Sequence, residues 1–436
     1  MDTLTAARMQ MEVSLAFHMF FAALGIGMPL LLVLAEWRWT RTGEEHWRQL
    51  ARKWGKATAL TFAVGAVSGT ALSFELGLLW PRFMAFSGAI IGPAFALEGY
   101  AFFIEAIFLG LYLYGWDRLS PRAHLLSGVA VAVSGMLSGV LVVAANAWMQ
   151  NPVGFDLVDG EVLNVNPLAP FLSPAWPQMA LHSTLSCYIA TGFAAGGVYA
   201  AGLLRGRRDA YHRSGLGLAL AVGTTAAVAQ LVSGDLSAKH VARHQPAKLA
   251  AMEAHFHTER GAPLVIGGIP SAETGEVRGA IRIPGLLSFM AFGSFDAEVK
   301  GLNDFPADER PNVLITHLAF QVMVGCGVAL IGLGLWFWIV RWRRREPGRL
   351  LLRAVLIGSP LGFLALQAGW IVTEVGRQPW VVYQVMRTAD GVTPIAEVPA
   401  TLFGFTLLYL ALGAALIVLL RGLATGSPPA GVPNAG

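Results

Sequence analysis

Long apolar stretches alternate with short polar ones along this chain, at a spacing that fits neither strands nor the narrow apolar stripes of soluble helices. Runs at 11–35, 57–80, 90–115, 125–148, 180–204, 214–234, 312–340, 351–373 and 399–420 are each long enough to cross about 30 Å of hydrocarbon as a helix. The pattern predicts an all-α membrane bundle of nine transmembrane helices. The first run lacks the basic start and small-residue cleavage site of a secretion signal, so it is expected to stay as a span. Between the sixth and seventh runs lies a long connection, 235–311, which is expected to carry structure of its own. Its first part, SAKHVARHQPAKLAAMEAHFHTE, predicts a short helix restarted at Pro246, where proline suits a first turn and strong helix formers follow. Its second part, VIGGIPSAETGEVRGAIRIPG, predicts a small hairpin turning near Thr274–Gly275. The chain thus divides into helices 1–6 (1–234), this loop, helices 7–9 (312–421) and a Gly-, Pro- and Ala-rich tail (422–436) expected to be disordered.

The basic residues give the bundle a direction. Arg38, Arg41, Arg48, Arg52, Lys53 and Lys56 fill the first connection, Arg118 and Arg122 the third, Arg205, Arg207, Arg208 and Arg213 the fifth, and Arg341, Arg343, Arg344, Arg345, Arg349 and Arg353 the seventh. The even connections are leaner, and the fourth carries Asp156, Asp159 and Glu161 with no Lys or Arg. By the positive-inside rule the odd connections face the cytoplasm, so the N-terminus is expected outside and the C-terminus inside.

Composition agrees with the pattern. At 55% hydrophobic and 13% charged, against about 25% charged in a typical soluble domain, the chain cannot cover a soluble globule of 436 residues. A net charge of +4 implies no nucleic-acid partner. Cys187 and Cys326 lie far apart inside apolar runs, which excludes a CxxC site and leaves them as packing residues.

Polar residues inside the spans carry the candidate chemistry. In GWIVTEVGRQPW (369–380), Glu374 follows a run without charges, and an acid at that depth is costly unless a cation, hydrogen bonds or a metal compensate it. The plainer reading is that Glu374 and Arg377 pair at the membrane surface and anchor the span with Trp370 and Trp380. His18, Glu98, His182, Met323 and Glu374 all fall toward the outer side of the expected topology, forming one layer of possible haem-iron ligands. Taken singly, each also fits an interfacial or packing role. His46, His124 and His212 are expected in cytoplasmic loops and four further histidines in the long loop; His18, His182 and His317 near the spans are too few for two bis-histidine haems. Glu98 and Glu105, two helical turns apart, share a face and suggest a proton relay, which Ser138 and Asn146 could extend or which they could merely pack against.

The motifs ALEG…FFIE with Glu98 and Glu105, ANAWMQNPVG (145–154), QPAKLAAMEA (245–254), FQVMVGCG (320–327) and GWxxTEVGRQPW with Glu374 occur in an order that resembles subunit I of cytochrome bd-type quinol oxidases over nearly the whole chain. The resemblance implies a bacterial cytoplasmic-membrane quinol:oxygen oxidoreductase with a low-spin haem b, a high-spin haem b and a haem d. It implies His182 and Met323 as ligands of the low-spin haem, and His18, Glu98 and Glu374 as serving the two high-spin haems in an order left open. It also implies Lys248 and Glu253 as quinol residues, Glu105 and Ser138 as a cytoplasmic proton path, and Arg377, next to Trp380, as neutralising a haem propionate. Expected partners are subunit II, a small single-span subunit, quinol and oxygen. Gln321 stands where some members have arginine, and the loop is short, as in the branch that includes cyanide-insensitive oxidases, some of which use haem b in place of haem d. The readings set against this one are a proton- or cation-coupled transporter, which would show paired broken helices in an internal repeat, and a cofactor-free structural subunit.

Overall fold

The computed structural model describes residues 2–158 and 161–425. Asp159 and residues 426–436 of the tail lie outside the described residues. The helices are α1 (Thr3–Thr42), α2 (Glu45–Leu79), α3 (Pro81–Tyr114), α4 (Pro121–Gln150), α5 (Ala169–Leu172), α6 (Trp176–Leu204) and α7 (Ala210–His244). They continue with α8 (Pro246–Met252), α9 (Leu286–Phe292), α10 (Val313–Trp342), α11 (Arg349–Gly358), α12 (Leu361–Val375), α13 (Thr388–Gly391) and α14 (Val398–Thr425). Among the described residues nine spans are long and apolar enough to cross a membrane, with α11 and α12 together forming the eighth.

Several helices outrun their apolar segments because capping groups lie farther out. Asp2 accepts a hydrogen bond from the Thr5 N–H (2.9 Å) and starts α1 well before residue 11, and Gly43 in the left-handed region (φ 72°) ends it. Asp209 caps α7, which runs on to His244, and Asn312 caps α10. The last helix continues to Thr425, so residues 422–425, expected in a disordered tail, are helical. The run 351–373, expected as one helix, is broken at Ser359–Pro360, where proline has no N–H to continue the ladder.

Contacts between connections define two ends of the bundle. At one, Arg48 and Arg52 approach Asp117, Ser214 meets His46, and Arg213 pairs with Glu346; this is the arginine face. At the other, Gln245 bonds Gln150, the Tyr383 N–H reaches the Met149 carbonyl, and Arg387 pairs with Asp308; this is the loop face. Small residues let helices cross closely: a Cβ on Gly192 of α6 would stand 2.6 Å from the backbone of Gly223 on α7. A core of Leu31, Leu32, Trp54, Tyr112, Phe193 and Leu220 fills the arginine half, and another with Phe83, Ile90, Ile91 and Trp148 fills the loop half. Phe74, Tyr100, Phe103 and Ile107 on α2 and α3 are exposed, as suits helices facing lipid or another apolar surface.

In the long connection, α8 starts at Pro246 as expected but stops after seven residues, and Ala254 (φ 50°) turns the chain. The hairpin is present as β2 (Ile269–Ser271) against β3 (Glu276–Arg278), with Thr274 and Gly275 in its turn. A second antiparallel pair, β1 (Leu264–Ile266) with β4 (Ile281–Ile283), extends the same fold-back.

Candidate functional site

Glu98 and Glu105 point from α3 toward α4, as their two-turn spacing requires. Ser138 donates to Glu98 Oε1 at 3.0 Å, and three residues earlier Gly135 leaves room for Glu105, whose carboxylate would lie 3.0 Å from a Cβ there. Glu105 is buried and its Oε1 has no hydrogen-bond partner. The structure therefore brings Glu98, Glu105 and Ser138 into one α3–α4 seam. Because α3 begins at Pro81, Glu98 lies at the middle of its helix rather than in an outer half.

His18 on α1 and His182 on α6 are held in the same manner by different neighbours. Nδ1 of His18 lies 3.0 Å from Ser68 Oγ, whose own proton goes to the Gly65 carbonyl (3.1 Å). Nδ1 of His182 lies 3.0 Å from Ser233 Oγ, which donates to the Gln230 carbonyl (3.2 Å). Each serine is thus placed to accept, the ring hydrogen belongs on Nδ1, and the Nε2 lone pair has no protein partner among the described residues. Outer-side hydrogen bonds of this kind orient imidazoles that ligate metals. Met323 on α10 sets its sulfur against α12 at Gly369, where an added Cβ would stand 3.1 Å away. His317, the third histidine near a span, has both ring nitrogens facing carbonyls, Met252 O at 2.8 Å and Gly267 O at 3.1 Å. Neither of its ring nitrogens stands clear of the protein.

Glu374 and Arg377 do pair, at 2.5 Å, but below the surface: Arg377 is 2% exposed. Glu374 Oε1 also accepts from Asn146 Nδ2 (2.7 Å), and Arg377 Nε donates to the Trp380 carbonyl (3.2 Å). The Trp380 ring lies under the guanidinium of Arg387, 5.1 Å from its centroid. Arg377 Nη1 is buried without a partner. From Asn146 the network runs through Gln150 Nε2 (3.3 Å) to Gln150 Oε1, which accepts from Lys248 Nζ (2.6 Å) and from Gln245 Nε2 (3.1 Å). A cavity of about 20 Å³, room for one water, lies between Lys248 and Arg377 beside Glu309, Trp380 and Tyr383.

Lys248 and Glu253 are not the solvated surface pair that their spacing also allows; they are 4% and 5% exposed. Burial, and next the repulsion of Arg377, pulls the Lys248 pKa down to about 7. Burial pushes Glu253 up to about 8, and its Oε2 has no hydrogen-bond partner.

These features meet a family known as a whole. The sequence profile described as cytochrome bd terminal oxidase subunit I matches residues 6–428. The chain belongs to that family. It is 37% identical to a Bacillus subtilis (strain 168) protein assigned as a cytochrome bd menaquinol oxidase subunit I, over 96% of each chain. It is 28% identical to the cytochrome bd-II ubiquinol oxidase subunit 1 of Escherichia coli (strain K12), over 89% of each. The bd oxidase structure from Geobacillus thermodenitrificans superposes with a TM-score of 0.93 at 38% identity, covering 98% of this chain and 99% of that one. The chain is thus the quinol-oxidising, haem-bearing subunit I of a terminal respiratory oxidase, a membrane protein that works with a subunit II.

The residues of this bd oxidase subunit fit haem. Two imidazoles present free Nε2 atoms, Met323 offers a thioether, Glu98 and Glu374 offer carboxylates, and the partnerless Arg377 Nη1 suits a propionate. Glu374 would have to ligate with lone pairs left over from Asn146 and Arg377. Sequence reasoning missed Gln150 and Gln245 as the hub joining Lys248 to Glu374; the WMQNP and QPAK motifs held them, but no spacing rule connects residues 95 apart. It also placed His124 in a loop, whereas His124 lies in the first turn of α4, buried with Nδ1 2.6 Å from Glu36. Tyr112 closes that cluster by accepting from Nε2 at its carbonyl (2.9 Å).

Proposed function

We propose that this subunit oxidises quinol on the loop face, which is the outer side, and reduces oxygen to water with protons drawn from the arginine face, which is the cytoplasmic side. The observation that carries the reading is the hydrogen-bonded Lys248–Gln150–Asn146–Glu374 chain, buried at Lys248 and Gln150 and half-buried at Asn146 and Glu374, which links a proton-accepting loop to the candidate iron ligands. The lean loop face and the Arg-filled opposite face support the orientation, with the N-terminus outside, in a bacterial cytoplasmic membrane.

Glu253, unpaired and with its pKa raised to about 8, takes a proton from the quinol hydroxyl, and Lys248 orients the ring oxygen through its remaining N–H groups. His182 and Met323 hold a low-spin haem b. His18, Glu98 and Glu374 serve a high-spin haem b and a haem d, or haem b in its place, with Arg377 on a propionate. When bound, these groups carry electrons from the quinol side to oxygen. Glu105, Ser138 and Glu98 supply protons from the cytoplasmic side along the α3–α4 seam. A small single-span subunit accompanies subunit II, and no nucleic acid takes part.

The test is the purified oxidase complex, with its absorption spectrum, pyridine haemochrome and quinol-dependent oxygen uptake measured together. Three haems, at least two of type b, with oxygen uptake that stops when quinol is withheld is the expected result. A preparation with quinol-independent uptake, or without a haem band, overturns the reading.

A further inference from the structure

Helix α10 does more than carry Met323. Its first turns place two polar side chains, His317 and Gln321, on one face, four residues apart, and both reach out of the helix to the long loop. His317 is fully buried, with Nδ1 at the Met252 carbonyl (2.8 Å) and Nε2 at the Gly267 carbonyl (3.1 Å). Gln321 accepts from the Gly267 N–H at 2.9 Å and donates to the Val265 carbonyl at 3.1 Å. Gly267 is therefore held at its N–H by Gln321 and contacted at its C=O by His317, from neighbouring turns of one helix.

Both ends of this grip matter. Gly267 and Gly268 (φ 67° and 88°) form the sharp link between β1 and β2, and a Cβ on Gly268 would stand 2.7 Å from Val277, so the link has little freedom to rearrange. Met252 is the last residue of α8, where helix carbonyls lack internal partners, and His317 satisfies the one immediately before Glu253. The Met252 side chain packs against Ala319 of α10 and Val372 of α12, which holds the same junction from the apolar side. Ala254 then turns the chain and keeps the Glu253 carboxylate inside.

We propose that His317 and Gln321 are positioning residues for quinol oxidation: they clamp the Met252–Glu253 peptide and the Gly267 turn to the helix that bears Met323. The clamp sets the separation between the proton-accepting carboxylate and the candidate iron ligand two residues beyond Gln321. It also gives Gln321 a role beyond local charge, since an arginine there could donate to Val265 but could not accept from Gly267. The inference rests on the assignment of Lys248 and Glu253 to the quinol site.

The test uses the intact oxidase complex with His317→Phe, Gln321→Leu and the double variant, and with His317→Gln, which keeps one amide donor. Each single loss removes a buried hydrogen-bonded anchor and raises the quinol KM by about tenfold. Because both side chains hold one residue, Gly267, the double variant is expected to stay well short of the product of the two, and His317→Gln to fall between wild type and His317→Phe. Oxygen uptake driven by an artificial donor that bypasses quinol stays within about twofold of wild type, a split that general loss of packing would not produce. Unchanged KM in both single variants, effects that multiply, or equal loss with both donors each overturns the clamp. If the site assignment itself is wrong, Glu253→Gln in the same preparation leaves quinol oxidation intact, which separates that failure from failure of the clamp.

Discussion

At the scale of single residues, the outcome turned on burial. A carboxylate and an amine five residues apart in QPAKLAAMEA are as consistent with a wet helix surface as with a reaction site. The fold-back at Ala254 and the cover of the loop bury both groups and so remove the wet-surface reading. The resulting pKa of about 8 at Glu253 fixes a pH dependence. Below that value Glu253 is protonated and cannot take the quinol proton; above it the carboxylate is free to do so. The kcat/KM for quinol should rise with pH through about 8, and Glu253→Gln should abolish that limb and slow quinol oxidation by about a hundredfold or more. Electrons from an artificial donor should still reach oxygen in that variant. At Met323, leucine keeps similar volume without the sulfur, so Met323→Leu should yield a folded complex with its low-spin haem turned high-spin or lost. An unchanged low-spin spectrum would remove Met323 as a ligand. His317 cannot then step in without leaving the carbonyls of Met252 and Gly267.

At the scale of elements, the nine spans were legible because hydrocarbon thickness demands long apolar runs, and the hairpin because Thr274–Gly275 sits between alternating residues. Helix ends were less legible, since Asp2 and Asp209 cap outside the apolar runs. Illegible altogether was which glycine faces what. Gly192 and Gly217 look alike in sequence, yet a Cβ on the first meets Gly223 backbone at 2.6 Å and on the second meets nothing within 4 Å. Gly192→Ala should therefore destabilise the detergent-solubilised complex by about 1–3 kcal/mol, because a backbone neighbour cannot swing aside. Gly217→Ala should leave the melting temperature level or slightly raised, as helix propensity alone would have it. Equal melting temperatures for both variants would show that the α6–α7 crossing is looser than its geometry.

At the scale of the whole molecule, the two faces divide the chemistry: Lys248 and Glu253 lie under the loop face, while Glu105 lies on α3 nearer the arginine face than Glu98. On the proposed function, protons released from quinol on one side and consumed at oxygen from the other would separate charge without a pump. Each charge moved across 100 mV stores about 2.3 kcal/mol. On the proposed function, the step that would make this vectorial is delivery past Glu105, whose partnerless Oε1 faces the seam that Ser138 and Glu98 continue. Glu105→Ala should cut oxygen reduction by about a hundredfold with the haems retained, and acidification outside vesicles should fall in step with turnover. The competing role is support of a haem from behind its ligands, and it predicts a different pairing of signals: haem content falls with turnover. Turnover, haem content and acidification measured on the same vesicles therefore decide the matter. Full haem content with undiminished turnover and acidification eliminates Glu105 as an obligatory relay.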